Sequence, residues 1–323
     1  MPVTLNSFAK INLGLAIGSR REDGFHELST VYQTIALHDV VKVGVERGAG
    51  IEIRCSDPRV PTGESNTCWR MAEAVLRALK IQRRVTIRIE KRLPVQGGLA
   101  GASSNAVATL LGLERVLRRR IPMEKKLRLA AEVGSDLPLF LIGGTVMGTG
   151  RGEKVAEAAD LPSSSCVVVI PQSGISTPAA FAAWDKMAAP TGQSAGLTGP
   201  AASDRIKVFS RMLRRWLRGT TSGVPGATAR DRAEALLLDL VRTGIENDFE
   251  AVVFPQHPEL REVKKLLLRE GAGYASLSGS GSAVYGLFAS PRKAAQLAAR
   301  LRGQGLTVEI TRTLPRREYW RKM

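Results

Sequence analysis

The chain has little of what staples small secreted or metal-bound folds. Its 323 residues include three cysteines, Cys55, Cys68 and Cys166, an odd number with no C-x-x-C or Cys/His spacing. That excludes a disulfide framework and a zinc finger, and fits buried or half-buried thiols in a reducing compartment. Aromatic residues make up only 5%. Without an RNP motif, a finger or an aromatic-studded strand, no nucleic-acid partner is expected. No apolar run approaches the ~20 residues of a membrane-spanning helix, and Met1–Asn6 lacks the basic and apolar regions of a leader. The expectation is a cytoplasmic protein without a membrane partner, a monomer or weak homodimer.

Positive charge, in contrast, is abundant. Lys plus Arg number 47 against 30 Asp plus Glu, a net charge of +17. Such an excess draws in polyanions, from nucleotides and phosphorylated metabolites upward, without naming one. Denser runs at 118–120, 211–218 and the tail 312–322 read as solvated surface charge. An apolar content of 44% allows a real core, and the length suits about two domains of ~150 residues.

Periodicity gives the organisation. Val3–Ile17, Val40–Val45, Ile51–Arg54 and Val85–Ile89 are β-branched or alternating and read as strands. Met71, Val75 and Leu79 lie four apart, so Thr67–Leu79 reads as a helix with Asn66 or Thr67 as N-cap. Further helices are expected from about Ser103 to Arg118 and over Met123–Val133, the latter closed by Gly134 as a C′ glycine. In the second half the expected elements are a strand at Cys166–Ile170, helices near Pro178–Met187 and at Asp204–Leu217, Asp231–Thr243, Pro258–Arg269 and Pro291–Arg302, and a strand at Leu306–Thr311. The Gly/Pro/Ala-rich stretches Ala188–Pro200 and Gly219–Ala229 read as loops. Interleaved strands and helices point to an α+β protein, with a layered sandwich in the second half. Residues 1–157 and 158–323 are the expected domains.

Four segments carry candidate chemistry. Residues Leu93–Ala106 run from a strand through Gly97, Gly98 and Gly101 to Ser103-Ser104 at a helix start. Glycines let backbone N–H groups converge, and a helix N-terminus adds partial positive charge, so the loop suits a polyphosphate. It is neither a Walker A nor a G-x-G-x-x-G loop, and a tight turn capped by serine would read the same way. The run Ser276–Ala283 is another glycine-serine loop; it is either a flexible turn or the opposite wall of that pocket. Lys10 and Asn12 alternate onto one strand face, which an edge strand with one wet face also explains. Asp136, between Gly134 and Pro138, is either an N-cap or a carboxylate tuned as a base.

Together these segments resemble the GHMP kinases: an early strand motif, a Pro-x-x-x-Gly-Leu-x-x-x-Ser-Ser loop and a late Gly-Ser-Gly loop, in that order. Ala9–Leu13, Arg21–Glu27, Gln33–Ile35, Gly134–Pro138 and Asn247–Glu250 resemble most the branch that acts on 4-diphosphocytidyl-2-C-methyl-D-erythritol. The resemblance implies a two-domain GHMP fold, with an N-terminal domain like ribosomal protein S5 domain 2 and a ferredoxin-like C-terminal α/β sandwich. It also implies ATP and Mg²⁺, and a cytidine diphosphate-linked methylerythritol as the small-molecule substrate. Asp136 would take the proton of the C2 hydroxyl, and Lys10 would stabilise charge. Pro94 and the stretch Gly97, Gly98, Leu99, Ala100, Gly101, Ala102, Ser103 and Ser104 would wrap the phosphates, with Asn66 near the adenine. Asn12 would hold the erythritol, Phe25 and Phe181 would sandwich the cytosine, and His26 would read its polar edge. Thr177, Gly279 and Ser280 would line the substrate side.

The pattern also departs from the family. Phe25 stands where many relatives carry tyrosine. Gln96, Ala100 and Ala102 replace glycines found in some, and no protein ligand for magnesium is identified. A kinase for mevalonate, homoserine or a sugar has no use for the aromatic pair, and a silent polyanion binder has none for Lys10 with Asp136.

Overall fold

Two long antiparallel strands, β1 (Val3–Arg20) and β2 (His26–Glu46), organise the N-terminal part of the computed structural model, which describes residues 1–171, 174–188, 200–219 and 229–323. Their register sets Lys10 opposite Thr34 and Asn12 opposite Tyr32. The sequence pattern reveals only part of β2, because Ser29, Thr30, Gln33, Thr34 and Asp39 interrupt its apolar alternation. All five are buried, and their polar atoms have partners: Thr30 Oγ1 donates to Gly14 O at 2.6 Å, and Gln33 Nε2 to Leu314 O at 2.9 Å. A satisfied buried polar group costs little, so strand pairing overrides the pattern.

The sheet is completed by β3 (Gly50–Cys55), β4 (Arg84–Glu90), β5 (Thr145–Gly150) and β6 (Lys154–Glu157), in the order β3-β4-β2-β5-β6, with β1 paired to β2. The β3–β4 pair is parallel and is joined by helix α1 (Thr67–Leu79). Asn66 caps it, its side chain accepting from Cys68 N. Three more helices cover this sheet: α2 (Gly101–Leu117), α3 (Met123–Val133) and α4 (Leu137–Ile142). Gly134 ends α3 in extended backbone (φ 178°), not in the left-handed turn expected of a C′ glycine.

The second sheet holds β7 (Ser165–Ile170), β8 (Tyr274–Leu277), β9 (Val284–Phe288) and β10 (Thr307–Arg312), ordered β10-β7-β9-β8 with every pair antiparallel. In chain order this is the 4-1-3-2 arrangement of a ferredoxin-like sandwich, as expected. Between β7 and β8 run α5 (Thr177–Ala188), α6 (Pro200–Gly219), α7 (Ala229–Arg242), α8 (Glu250–Gln256) and α9 (Pro258–Arg269); α10 (Pro291–Gly303) precedes β10. Of the expected loops, 189–199 and 220–228 lie outside the described residues. Among the described residues, no helix is long and apolar enough to cross a membrane.

The tail read as solvated charge is instead a clasp. Helix α11 (Arg316–Lys322) buries Tyr319 against Phe8 (ring centroids 5.5 Å apart), and the Tyr319 hydroxyl donates to Phe140 O at 2.7 Å. Leu314, Tyr319 and Met323 thus join the core of the first sheet, although they follow the last strand of the second. Its arginines and lysines mark the helix's outer face, and the pattern of charge hid one buried ring.

Candidate active site

A cleft of about 590 Å³ opens between the two sheets. Of the site residues expected from sequence, it is lined by Lys10, Asn12, Phe25, His26, Asn66, Pro94, Gly97 to Ser103, Asp136, Thr177, Phe181, Gly279 and Ser280. Ser104 is the exception. It is fully buried, its hydroxyl accepts a hydrogen bond from Ser7 Oγ at 2.7 Å, and its N–H closes the first turn of α2 on Ala100 O.

The floor is the glycine-rich loop and the start of α2. The N-cap position is Ala100, in left-handed backbone (φ 55°), with no side chain able to cap. The N–H groups of Gly101, Ala102 and Ser103 consequently have no protein acceptor among the described residues. A serine-capped turn would have used one of them. Three free donors at a helix N-terminus form an anion seat, which favours the phosphate reading of this loop. Buried Asp39 pins its base: Oδ1 accepts from Arg92 N and Leu93 N, both at 2.7 Å, while Oδ2 accepts from Lys91 Nζ at 2.8 Å and Asn105 Nδ2 at 2.9 Å.

The second glycine loop meets the first. Ser278 Oγ donates to Gly98 O at 2.9 Å, and Ala283 N to Gly97 O at 3.3 Å. Gly98 has φ +71°, and a Cβ there would lie 2.0 Å from Ser278 O. Only glycine permits this contact. Asn247 holds the second loop from behind, donating to Leu277 O at 2.9 Å and Gly279 O at 2.8 Å.

At the junction stands Lys10, 3% exposed. Its ammonium donates to Asn12 Oδ1 at 2.6 Å and to Gly98 O at 2.9 Å, and lies 3.8 Å from Asp136 Oδ2. The strand carrying it is not wet on one face: Lys10 and Asn12 are buried between the sheets. Burial pushes the Lys10 ammonium below its usual value, and Asp136 opposes part of that shift. Asp136 is the N-terminal flank of α4 but makes no capping bond. Its Oδ1 instead accepts from the Tyr32 hydroxyl at 3.1 Å, which leaves Oδ2 turned to the ammonium. Burial, and then Asp136, raise the Tyr32 hydroxyl well above the ordinary tyrosine value, so Tyr32 remains a donor. Of the carboxylates among the described residues, only Asp136 lines the cleft, beside the cations Lys10, Arg59, Lys91 and Arg151.

Two expected contacts are already engaged within the protein. Asn66 gives Oδ1 to Cys68 N and donates Nδ2 to Pro61 O at 2.6 Å, so its side chain shapes the 61–68 wall. Asn12 donates to Thr30 Oγ1 at 2.9 Å as well as accepting from Lys10. On the aromatic side, Phe25 is 50% exposed, with the Arg151 guanidinium 4.7 Å from its ring centre. Phe181 packs edge-on to Phe249 at 4.9 Å and stacks on His26 at 5.0 Å. Thr177 and Ser280 share a hydroxyl hydrogen bond of 2.8 Å.

Sequence reasoning missed Tyr32, Asp39 and Arg151. Tyr32 and Asp39 lie in the part of β2 whose polar residues masked the strand, and only the β1–β2 register brings Tyr32 beside Asn12. Arg151 was one arginine among many.

Comparison with known proteins bears on the same site. The family model for the GHMP kinases N terminal domain matches residues 66–144, and that for GHMP kinases C terminal matches 230–305. A 4-diphosphocytidyl-2-C-methyl-D-erythritol kinase of Solibacter usitatus is 36% identical, covering 98% of this chain and 92% of the relative. One from Moorella thermoacetica is also 36% identical, over 97% and 99%. The crystal structure of a 4-(cytidine 5'-diphospho)-2C-methyl-D-erythritol kinase superposes with a TM-score of 0.69 at 30% identity, covering 96% of this chain and 99% of the other. A homoserine kinase from Cytophaga hutchinsonii superposes with a TM-score of 0.72 at 16% identity, over 97% and 95%, a likeness of fold alone.

Proposed function

The chain belongs to the 4-diphosphocytidyl-2-C-methyl-D-erythritol kinase family of the GHMP kinases, and we propose that it moves the γ-phosphate of ATP to the C2 hydroxyl of that cytidyl alcohol, a step toward isoprenoid precursors. The observation that carries the reading is the pairing of Lys10 with Asp136 at 3.8 Å in the same cleft as the N–H groups of Gly101, Ala102 and Ser103, which have no protein acceptor among the described residues. Phosphoryl transfer requires positioning, neutralised charge and one group at the attacking oxygen, and these residues have the character for each task.

In this reading the α2 N-terminus seats the phosphates, and Lys10 faces the oxygen on which charge develops. Donors fixed before the reaction contribute roughly 10²–10³ in rate. Asp136 accepts the hydroxyl proton at Oδ2, the oxygen that Tyr32 leaves free, a contribution of about 10²–10⁴. Phe25 and Phe181 offer flat faces for the cytosine, with stacking of ~1–3 kcal/mol per base.

Among the described residues, no three His, Cys, Asp or Glu side chains are grouped to cage a metal. Mg²⁺ typically keeps several waters and is bound largely through substrate phosphates, so ATP and water would supply most of its shell here. When bound on the nucleotide, it neutralises phosphate charge. The three free cysteines suit the reducing cytoplasm as its place of work.

The test is ADP release in a coupled assay with the cytidyl alcohol and Mg-ATP. Turnover is expected with it and not with mevalonate or homoserine. Folded protein that gives no turnover above background on the cytidyl compound defeats the proposal.

A further inference from the structure

His26 meets two residues from one face of α5. Its ring lies parallel to Phe181, 9° between planes at 5.0 Å, and its Nε2 is 2.7 Å from Asp185 Oδ1. Phe181 and Asp185 are four residues apart, so the helix presents them side by side. An ionised carboxylate only accepts hydrogen bonds. In a neutral imidazole one nitrogen donates and the other accepts, so a neutral His26 ring facing this carboxylate carries its proton on Nε2 and keeps the bare lone pair on Nδ1. Nδ1 has no hydrogen-bond partner among the described residues, yet it is not among their buried unpaired atoms. On a side chain that lines the cleft, that lone pair is open to what the cleft holds.

We propose that Asp185 is a positioning residue, which fixes His26 as an acceptor at Nδ1 and thereby makes the cleft select a pyrimidine with an exocyclic amine over one with a carbonyl at that carbon. The inference rests on the cytidyl reading above and goes past it, to what separates cytosine from uracil. The cytosine amine donates to Nδ1, whereas the uracil carbonyl would set lone pair against lone pair. Without Asp185 the imidazole can move its proton to Nδ1 and donate to uracil instead. Asp185 itself is outside the cleft lining and acts only through the ring.

The experiment compares wild type, Asp185→Leu and Asp185→Asn on the cytidyl alcohol and on its uridyl counterpart. Wild type is expected to favour the cytidyl compound by about 100-fold or more, as sites built around a hydrogen bond do. Asp185→Leu lowers that ratio at least ~10-fold, through KM more than kcat, because a contact to a charged partner is lost. Asp185→Asn keeps an acceptor oxygen and stays within ~3-fold of wild type. An unchanged ratio in folded Asp185→Leu overturns the proposal and leaves the kinase reading standing. Wild type inert on the cytidyl compound sinks that reading instead. A measurement that needs no variant is the ¹⁵N spectrum of the ring nitrogens, tractable because the chain has three histidines. His26 protonated at Nε2 alone supports the assignment, and a proton on Nδ1, in the other tautomer or in the doubly protonated ring, refutes it.

Discussion

Around Lys10, polar atoms are tied across both sheets: to Asn12 and Gly98, to Asp136, and through Ser278 to the second glycine loop. Around Phe25, the side chain is exposed, with the Arg151 guanidinium over its ring. In the proposed reading, the phosphate side is fixed by hydrogen bonds within the protein, which suits chemistry that depends on fixed dipoles. The base side leaves surface for a ligand to cover, which suits recognition by stacking. A substitution on the first side should therefore change rate or fold, and one on the second should change KM.

The sharpest contrast comes from Asp136→Ala. We expect kcat to fall about 10²–10⁴-fold with the ATP dissociation constant nearly unchanged by calorimetry; a near-normal kcat would remove Asp136 as the base. Lys10 sets a pH limit. Because burial depresses its ammonium, activity should decline with rising pH before the ordinary lysine value of about 10.4 is reached. For stability the sign is opposite: between the folded value and the ordinary one, the unfolded chain binds more protons, so unfolding free energy rises with pH. A basic limb at or above the ordinary value would mean that the rate does not depend on this ammonium.

Gly98→Ala tests the crossing of the two loops. A Cβ 2.0 Å from Ser278 O cannot be accommodated without moving backbone, at roughly 3 kcal/mol. Thermal denaturation should show a clear loss in Tm along with lost activity. Phe25→Ala belongs to the open side: KM for the cytidyl alcohol should rise roughly 5- to 150-fold, the equivalent of stacking one base, with Tm and kcat little altered. Loss of stability there would show that the ring is structural. The smallest effect is expected from Ala100→Gly. Left-handed backbone costs an alanine roughly 1–2 kcal/mol, and glycine's greater freedom when unfolded offsets up to ~1 of that, so Tm should hold or rise slightly.

How much was legible depended on how far apart the partners lie. Thr67–Leu79 and Met123–Val133 were read from the chain with the bounds that the structure gives, because helical periodicity and flanking residues are local signals. Both glycine loops stood out in the sequence, but the second read equally as a flexible turn or as a wall of the first loop's pocket, and only the structure joins the two. Gln96 and Ala100 stand where some relatives have glycine, and both hold left-handed backbone, a conformation that composition does not announce. Tyr32 is 104 residues from Asp136, and His26 is 159 from Asp185. No local pattern encodes such pairs.

The sequence by itself determined the family, most of the longer helices and the residue types at the glycine-rich loop, since each rests on short-range propensity or on motif order; it did not reveal β5, β6, α8, α11 or the first half of β2. Only the tertiary structure decided that Asp136 faces Lys10 and Tyr32 rather than capping α4, that Ser104 turns away from the cleft, and that the basic tail clasps the first sheet. Those outcomes depend on which buried polar groups find partners, and that is settled by contacts between segments far apart in the chain.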